Sequence, residues 1–267
     1  MDRLAVTALD VRVELLLQGS RAGELDTLLR RAWSRCLDLP HRRQGDPITL
    51  TLDDVPVDSS LVRGSGTLAD DDADRLLVFA TQSITGAAIT AQAGHLLMFH
   101  AGAVSHPSTG AGLVFVAPGG TGKTTLSRTL GQRYGYLSDE TVGVDRAGRI
   151  LPYPKPLSIR AKPAAPHKHE FSPDELGLGT AHPKPQVARI ILLERSDHHV
   201  DEPEITELPL LDAIAALAPE TSSLSALDRG LAFCADLIER TGPVLRVRYA
   251  EAETIIPLAA ELIGDLR

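Results

Sequence analysis

The stretch that decides the fold lies at residues 117–125 and reads Ala117-Pro118-Gly119-Gly120-Thr121-Gly122-Lys123-Thr124-Thr125. The apolar run at residues 112–116 before it predicts a buried strand. Residues 126–134 after it predict a helix, because their large apolar side chains are spaced four apart. A strand, a glycine-rich turn and Gly-Lys-Thr at the start of a helix together form the context of a phosphate-binding loop.

Each part of this loop has a chemical task. Glycines allow successive backbone N–H groups to turn inward and surround phosphate oxygens, and the helix N-terminus adds its positive dipole end. Lys123 would reach the β- and γ-phosphates, and the Thr124 hydroxyl would bind Mg²⁺. The sequence therefore predicts a nucleotide site made by the following residues: Gly119, Gly120, Thr121, Gly122, Lys123, Thr124 and Thr125.

One position departs from the G-x-x-x-x-G-K-[ST] pattern of such loops. Ala117 stands where the first glycine is expected, whereas Gly122, Lys123 and Thr124 are in place. The competing interpretation is a glycine-rich turn with an exposed lysine. The flanking strand and helix favour the nucleotide site.

Composition narrows the class of protein. The 267 residues suggest one large domain or two small ones, and a hydrophobic fraction of 43% is enough for a sizeable core. A net charge of −8 is not the excess of positive charge that is typical of proteins that bind nucleic acid or an anionic membrane. The N-terminus lacks the pattern of a signal peptide, and no stretch approaches a membrane span. We therefore expect a cytoplasmic enzyme that binds neither nucleic acid nor membrane.

The segment before the loop predicts a small N-terminal α+β domain at residues 1–92, followed by a nucleotide-binding domain at residues 93–267. The predicted elements of the N-terminal part are alternating strands at 11–15 and 48–52 and helices at 25–37 and 76–95. Three aspartates, Asp70 to Asp72, are interpreted as a solvated turn rather than a metal site. Residues 161–186 are rich in proline, which predicts a long functional loop or lid.

Two further sites of chemistry flank the loop. His100 lies within an apolar strand that should pair with the strand at 112–116, and it is either a buried core residue or part of the site. Asp139 and Glu140 come at the end of a strand at 135–142 that we expect beside the phosphate-loop strand. Asp139 would accept the proton of an incoming hydroxyl, and Glu140 would help to hold Mg²⁺. Neighbours on a strand point to opposite faces, so one of the two acids could be structural, or the pair could be an exposed strand end.

Together these motifs resemble a known family. His100-Ala-Gly-Ala-Val, Ala-Pro-Gly-Gly-Thr-Gly-Lys-Thr-Thr-Leu and Gly-Tyr-Leu-Ser-Asp-Glu are similar to the HPr kinase/phosphorylase family. The resemblance is greatest to the stand-alone HPr-kinase-like proteins found with peptide-modifying and other biosynthetic clusters. It implies an α/β fold with α+β character. The P-loop kinase core would be of the HPr kinase and phosphoenolpyruvate carboxykinase type, with a mixed sheet and flanking helices.

The resemblance also implies a function. It implies transfer of a phosphoryl group from ATP, with Mg²⁺, to a serine-type hydroxyl. By position, His100 matches the family's active-site histidine, Lys123 its phosphate-loop lysine and Thr124 its Mg²⁺-binding hydroxyl. Asp139 matches the acid that deprotonates the acceptor, and Glu140 stands where the family usually has a second aspartate.

The sequence therefore predicts an ATP-dependent kinase that acts on a hydroxyl of a peptide or a small biosynthetic metabolite. Arg160 and Lys162 are candidates for substrate contacts. A nucleotide-binding regulatory module and a simple NTPase are the alternatives. Phosphate loops contact phosphates rather than the base, so GTP is not excluded, and a homo-oligomer stays open.

Overall fold

The computed structural model describes residues 2–54, 66–160, 168–196, 198 and 201–265. By its internal contacts the chain divides into two compact units. The first unit joins Met1–Gln92 to Tyr153–Leu176, and the second joins Ala93–Pro152 to Gly177–Arg267. The domains predicted at residues 1–92 and 93–267 stay a prediction.

The N-terminal part of the first unit is a sheet with two helices. Its elements are β1 (Asp2–Ala8), β2 (Val11–Gln18), α1 (Ala22–Ala32), β3 (Arg43–Gln44), β4 (Ile48–Leu52), β5 (Thr67–Asp70) and α2 (Ala73–Gln92). The strand order is β1-β2-β4-β5, with β1 antiparallel to β2 and the other pairs in this order parallel. Buried and half-buried residues alternate along β2 and β4, as the sequence pattern predicted.

The aspartate run is not a solvated turn throughout. Asp70 ends β5 fully buried and accepts hydrogen bonds from the Arg75 guanidinium. Burial opposes ionisation, but the bonds from Arg75 and from the Asp72 backbone outweigh it, so the pKa of Asp70 lies below its ordinary value. The prediction was wrong for Asp70 because the sequence does not show that Arg75, five residues later at the start of α2, neutralises it.

The central part of the chain carries the phosphate loop. Its elements are β6 (Leu97–Ser105), β7 (Ala111–Val116), α3 (Lys123–Gly131), β8 (Gly135–Ser138), β9 (Thr141–Val144) and β10 (Ile150–Leu151). β6 pairs antiparallel with β7, with β8 and with β9. The predicted pairing of the His100 strand with the strand before the loop is therefore confirmed.

The remaining chain first completes the first unit and then returns to the second. Its elements are β11 (Leu157–Ile159), β12 (His169–Phe171), β13 (Gly179–Thr180), β14 (Gln186–Arg195), β15 (Glu204–Glu207), α4 (Leu210–Leu217), β16 (Thr221–Ser222), α5 (Gly230–Thr241), β17 (Leu245–Tyr249) and α6 (Ile256–Ile263). Of the loop predicted at 161–186, residues 161–167 lie outside the described residues. The rest of it contains β12 and β13.

The second unit is built on one mixed sheet in the order β10-β9-β6-β7-β14-β17-β15. Its centre, β7-β14-β17, is parallel. Successive residues of β14 enter different cores, because Ile190 packs with α4 and α5 whereas Ile191 packs with α3 and α6. Helices therefore cover both faces of the central strands, and the predicted mixed α/β class is confirmed. Across the described ranges, no helix has the length and apolar character needed to cross a bilayer.

Candidate functional site

Two glycines shape the loop between β7 and α3. Gly120 and Gly122 have φ values of 84° and 99°, a backbone region that side chains with a Cβ rarely adopt. Gly122 immediately precedes α3, and its carbonyl accepts the Leu126 N–H at 3.0 Å to begin the helix. Ala117 is buried and is not among the described residues with positive φ, so its position does not require glycine.

The Lys123 side chain folds back over this loop. Its ammonium donates hydrogen bonds to the carbonyl oxygens of Ala117 and Pro118, the latter at 2.9 Å, and the residue is only 7% exposed. Burial lowers the pKa of Lys123, and this lowering is opposed by the charges of Glu220, Asp139 and Glu140, in that order. The cation is thus held against the loop with three carboxylates around it.

Thr124 and Asp139 are in direct contact. The Thr124 hydroxyl donates a hydrogen bond to Asp139 Oδ2 at 2.8 Å, although 15 positions separate the two residues. The other carboxylate oxygen, Oδ1, accepts the buried Tyr136 hydroxyl at 3.1 Å. Asp139 is only 4% exposed, so these bonds hold the carboxylate in one orientation beside the start of α3.

The acidic pair lies at a bend, which differs from the predicted continuous strand at 135–142. β8 ends at Ser138 and β9 begins at Thr141, so Asp139 and Glu140 lie between the two strands. The Ser138 hydroxyl accepts the backbone N–H groups of Glu140 and Thr141 at 3.4 Å each, which stabilises the bend. The predicted position beside the phosphate-loop strand was also wrong, because β6 lies between β7 and β8.

His100 is brought to the site by the register of β6. It pairs with Thr141 of β9, and the next residue, Ala101, donates its N–H to the Glu140 carbonyl at 3.1 Å. Its side chain is 42% exposed, so it is not the buried core histidine that the apolar strand would also fit. Its Nδ1 lies 3.3 Å from Glu220 Oε2.

Sequence reasoning missed Glu220. This residue follows α4 and directly precedes β16, which pairs antiparallel with residues 98 and 99 of β6. That pairing places Glu220 beside His100, with a side chain only 17% exposed. No motif surrounds it in the sequence, because its position depends on a long-range strand pair.

Sequence reasoning also missed Tyr249 and Arg195, which lie beside the loop at Thr121 and Gly122. The Tyr249 hydroxyl donates to the Thr121 carbonyl at 3.1 Å. A methyl group at Gly122 would lie 3.2 Å from that hydroxyl and 3.6 Å from Arg195 Nη1. Burial raises the pKa of Tyr249, and the nearby Arg195 charge opposes that effect. Both residues end parallel neighbouring strands, β17 and β14, and only this topology brings them to the loop.

The other predicted site residues lie in the loop, at the acidic pair and in the first unit. The Thr121 hydroxyl bonds to the Pro118 carbonyl at 2.8 Å and so closes the loop. Gly119 and Thr125 are exposed, and Glu140 is half-buried. Arg160 is an exposed residue of the first unit, after β11, and Lys162 lies outside the described residues. The structure therefore brings together His100, Lys123, Thr124 and the acidic pair, and the predicted substrate contacts stay predictions.

The donor set fits Mg²⁺. A hydroxyl and a carboxylate, both hard oxygen donors, meet at 2.8 Å where Thr124 contacts Asp139. Within the described ranges, no group of three or more His, Cys, Asp and Glu residues could hold a metal ion. Proteins hold Mg²⁺ through one or two side chains together with substrate phosphates and water.

Comparisons with known proteins find similarity among solved structures. No protein-family model and no curated protein matches this chain. Among solved structures, the chain is similar to the Hpr(Ser) kinase/phosphatase from Coxiella burnetii, with a TM-score of 0.31 and 14% sequence identity. That likeness covers 62% of this chain and 93% of the other.

Proposed function

We propose that this chain is an ATP-dependent phosphotransferase that moves the γ-phosphoryl group to a hydroxyl of a peptide or a small metabolite. The observation that carries the proposal is the 2.8 Å contact of Thr124 with Asp139, directly after a lysine held against a glycine-rich loop. A structural turn would not need a buried ammonium, a hydroxyl and a carboxylate at one helix start, because burying such groups costs free energy.

The roles of the binding residues follow from their chemistry. The loop N–H groups and the Lys123 ammonium would bind the β- and γ-phosphates and stabilise the charge that shifts during transfer. Thr124 and Asp139 would hold Mg²⁺, and Glu140, predicted as a further ligand, is close enough for its charge to act on Lys123. Bound Mg²⁺ would supply charge neutralisation at the phosphates. These contacts do not distinguish ATP from GTP.

Catalysis of phosphoryl transfer consists mainly of positioning and electrostatic stabilisation, so the chain needs little further chemistry. It does need a group that accepts the proton of the acceptor hydroxyl, the role that the sequence predicts for Asp139. His100 is half-buried, and its Nδ1 lies 3.3 Å from Glu220 Oε2. Arg160 and Lys162 are proposed as contacts to the acceptor.

Nucleotide binding is tested by calorimetric titration of ATP with and without Mg²⁺. We expect wild-type protein to bind Mg²⁺–ATP more tightly than ATP in EDTA. Thr124→Ala should lose most of that difference, about tenfold or more in affinity, because it removes a metal ligand. Thr129→Ala, on the same helix, is the matched control and should bind as the wild type does. Equal affinities with and without Mg²⁺ for the wild type would contradict the metal site.

Transfer is tested by mass spectrometry of candidate peptides and hydroxyl metabolites incubated with ATP. The proposal expects an acceptor that gains one phosphoryl group, and Lys123→Ala should abolish the transfer. Phosphate release that no acceptor alters would instead indicate a simple NTPase. Tight ATP binding without turnover would indicate a regulatory module. Full transfer by Asp139→Asn would show that Asp139 is not the base.

A further inference from the structure

Arg195 lies beside the phosphate loop and has no part in the roles assigned so far. It is the last residue of β14, and the strand register pairs it with Tyr249, the last residue of β17. The Tyr249 hydroxyl in turn donates to the Thr121 carbonyl at 3.1 Å. A methyl group built at Gly122 would lie 3.6 Å from Arg195 Nη1 and 3.9 Å from its Cδ. The guanidinium and its aliphatic stem therefore both lie next to the residue that precedes Lys123.

The position of Arg195 along β14 fixes the face of the sheet to which it belongs. Side chains alternate along a strand, and Ile191 and Leu193 pack in the same core as α3 and α6. Arg195 continues this face and is exposed, whereas Glu194 belongs to the opposite face together with its register partner Arg248. The end of β14 therefore presents a positive charge on the face where α3 begins, and its neighbouring carboxylate lies on the other face.

The order of the strands determines which part of a nucleotide this charge would meet. β7, which leads into the loop, lies between β6 and β14. Thr124 and Asp139, proposed to hold Mg²⁺ at the β- and γ-phosphates, belong to the β6 side, because Asp139 follows β8 and β8 pairs with β6. Arg195 lies on the β14 side, next to Gly122. The loop backbone in this position surrounds the α- and β-phosphates in phosphate-binding loops of this pattern.

A cation in this place is favourable only with an anion beside it. The N-terminus of α3 is the positive end of a helix dipole, and Lys123, the first residue of the helix, adds a second positive charge. A third positive group is repelled by both. Phosphate oxygens reverse this balance, and a guanidinium can bind them through two parallel N–H donors. The placement of Arg195 therefore points to an anionic ligand and not to a contact that stabilises the fold.

We propose that Arg195 binds the diphosphate part of the nucleotide, its α- and β-phosphates, and so contributes affinity for ADP and ATP alike. This inference rests on the proposed function and adds a residue to its site. An interaction with phosphates that stay on the nucleotide is present before and during transfer. It belongs to uniform binding, which sets the affinity for the nucleotide and does not by itself accelerate the chemical step.

The role is tested by calorimetric titration of ADP and of ATP, each with Mg²⁺ and with EDTA. Arg195→Ala should bind both nucleotides about tenfold or more weakly under both conditions, because it removes hydrogen bonds to a charged group. Arg195→Lys should recover part of this loss, since it keeps the charge without the planar fork. Arg246→Ala is the matched control, because Arg246 is an exposed arginine on the opposite face of β17, and it should bind as the wild type does.

Two further readouts distinguish nucleotide binding from a structural role. Nucleotide-free Arg195→Ala should melt no lower than the wild type, because the substitution removes a repelled charge, whereas added ADP should raise its melting temperature less. Its affinity for ADP should also fall less steeply with added salt, because one fewer cation is screened. A nucleotide-free variant that melts lower than the wild type, with unchanged affinity for ADP, would assign Arg195 to the fold and overturn the inference.

The remaining outcomes separate this inference from the proposed function. Unchanged affinity of Arg195→Ala for ADP, or a loss restricted to ATP, would overturn the diphosphate role and leave the proposed function in place. A loss seen only with Mg²⁺ would overturn it too, because Arg195 should act without the metal. A wild-type chain that binds neither ADP nor ATP would overturn the proposed function and the role of Arg195 with it.

Discussion

The buried ammonium of Lys123 works against the stability of the fold. Its ammonium is 7% exposed, and burial lowers the pKa of Lys123 in the folded chain below the ordinary value of 10.5. Between this lowered pKa and 10.5, the unfolded chain therefore binds more protons than the folded chain does. The stabilising contribution of this side chain consequently rises with pH and is lowest below its folded-state pKa.

This effect predicts a pH-dependent difference between wild type and Lys123→Met. The free energy of unfolding of the wild type, minus that of the variant, should rise with pH from the lowered folded-state pKa of Lys123 to 10.5, by roughly 1.4 kcal/mol for each unit of pKa shift. Urea unfolding at several pH values measures it. Lys184→Met, an exposed lysine, should show no such rise, and a difference that falls with pH would show that the Lys123 pKa is not lowered.

At the level of single residues, the sequence identified those candidate site residues that lie close together along the chain. Gly122, Lys123 and Thr124 are adjacent, and Asp139 follows after one helix and one short strand, so their chemistry could be inferred together. Glu220 could not be found in this way, because only the pairing of β16 with β6 brings it to His100. The contact of Tyr136 with Asp139 was equally hidden, since three residues of extended chain do not show which side chains will meet.

Among the structural elements, the loop between β7 and α3 depends most on a single backbone conformation, that of Gly122. Gly122 has φ = 99°, and a methyl group there would lie 3.2 Å from the Tyr249 hydroxyl. Gly122→Ala must therefore adopt a strained conformation, at a cost of about 1–3 kcal/mol, or reshape the loop. Since roughly 1.4 kcal/mol is tenfold in affinity, we expect ATP to bind about tenfold or more weakly.

Gly86→Ala is the control for this substitution. Gly86 lies exposed inside α2, and no atom lies within 4 Å of a methyl group built there. It should stabilise the chain by about 0.5–1 kcal/mol, because alanine favours a helix interior over glycine, and leave ATP affinity unchanged. Urea unfolding and ATP titration measure both variants. Wild-type ATP affinity in Gly122→Ala would show that the loop does not need this conformation.

The elements themselves were well predicted where the pattern is strong. The alternation at residues 48–52 gives the observed bounds of β4, and the apolar run at 112–116 gives those of β7 to within one residue. Strand order was the weak point, since β8 pairs with β6 rather than with β7. Periodicity shows which face of a strand is buried, but it contains no information on which strand is its neighbour.

Over the whole molecule, the least predictable feature is that the first unit is discontinuous. Its second segment begins at Tyr153, which lies between Pro152 and Pro154. Tyr153 is fully buried, its ring centroid lies 6.2 Å from that of Trp33, and its hydroxyl lies 2.8 Å from Thr85 Oγ1. The Tyr153 side chain therefore connects this segment to Trp33, which directly follows α1, and to α2, and a proline-rich composition gives no sign of these contacts.

The contribution of Tyr153 to stability can be measured through Trp33. This residue is the only tryptophan in the chain, so its fluorescence reports on the first unit. Tyr153→Ala should lower the free energy of the Trp33 unfolding transition by about 3–5 kcal/mol, through loss of a large buried ring. Tyr153→Phe should cost only about 1 kcal/mol, since it keeps the ring, and Thr85 still bonds to the Thr81 carbonyl at 2.8 Å. If Tyr153→Ala leaves the Trp33 transition unmoved, the segment from Tyr153 to Leu176 is not part of the first unit's core. Equal losses in the two variants would instead assign the stabilisation to the hydroxyl rather than to the packing of the ring.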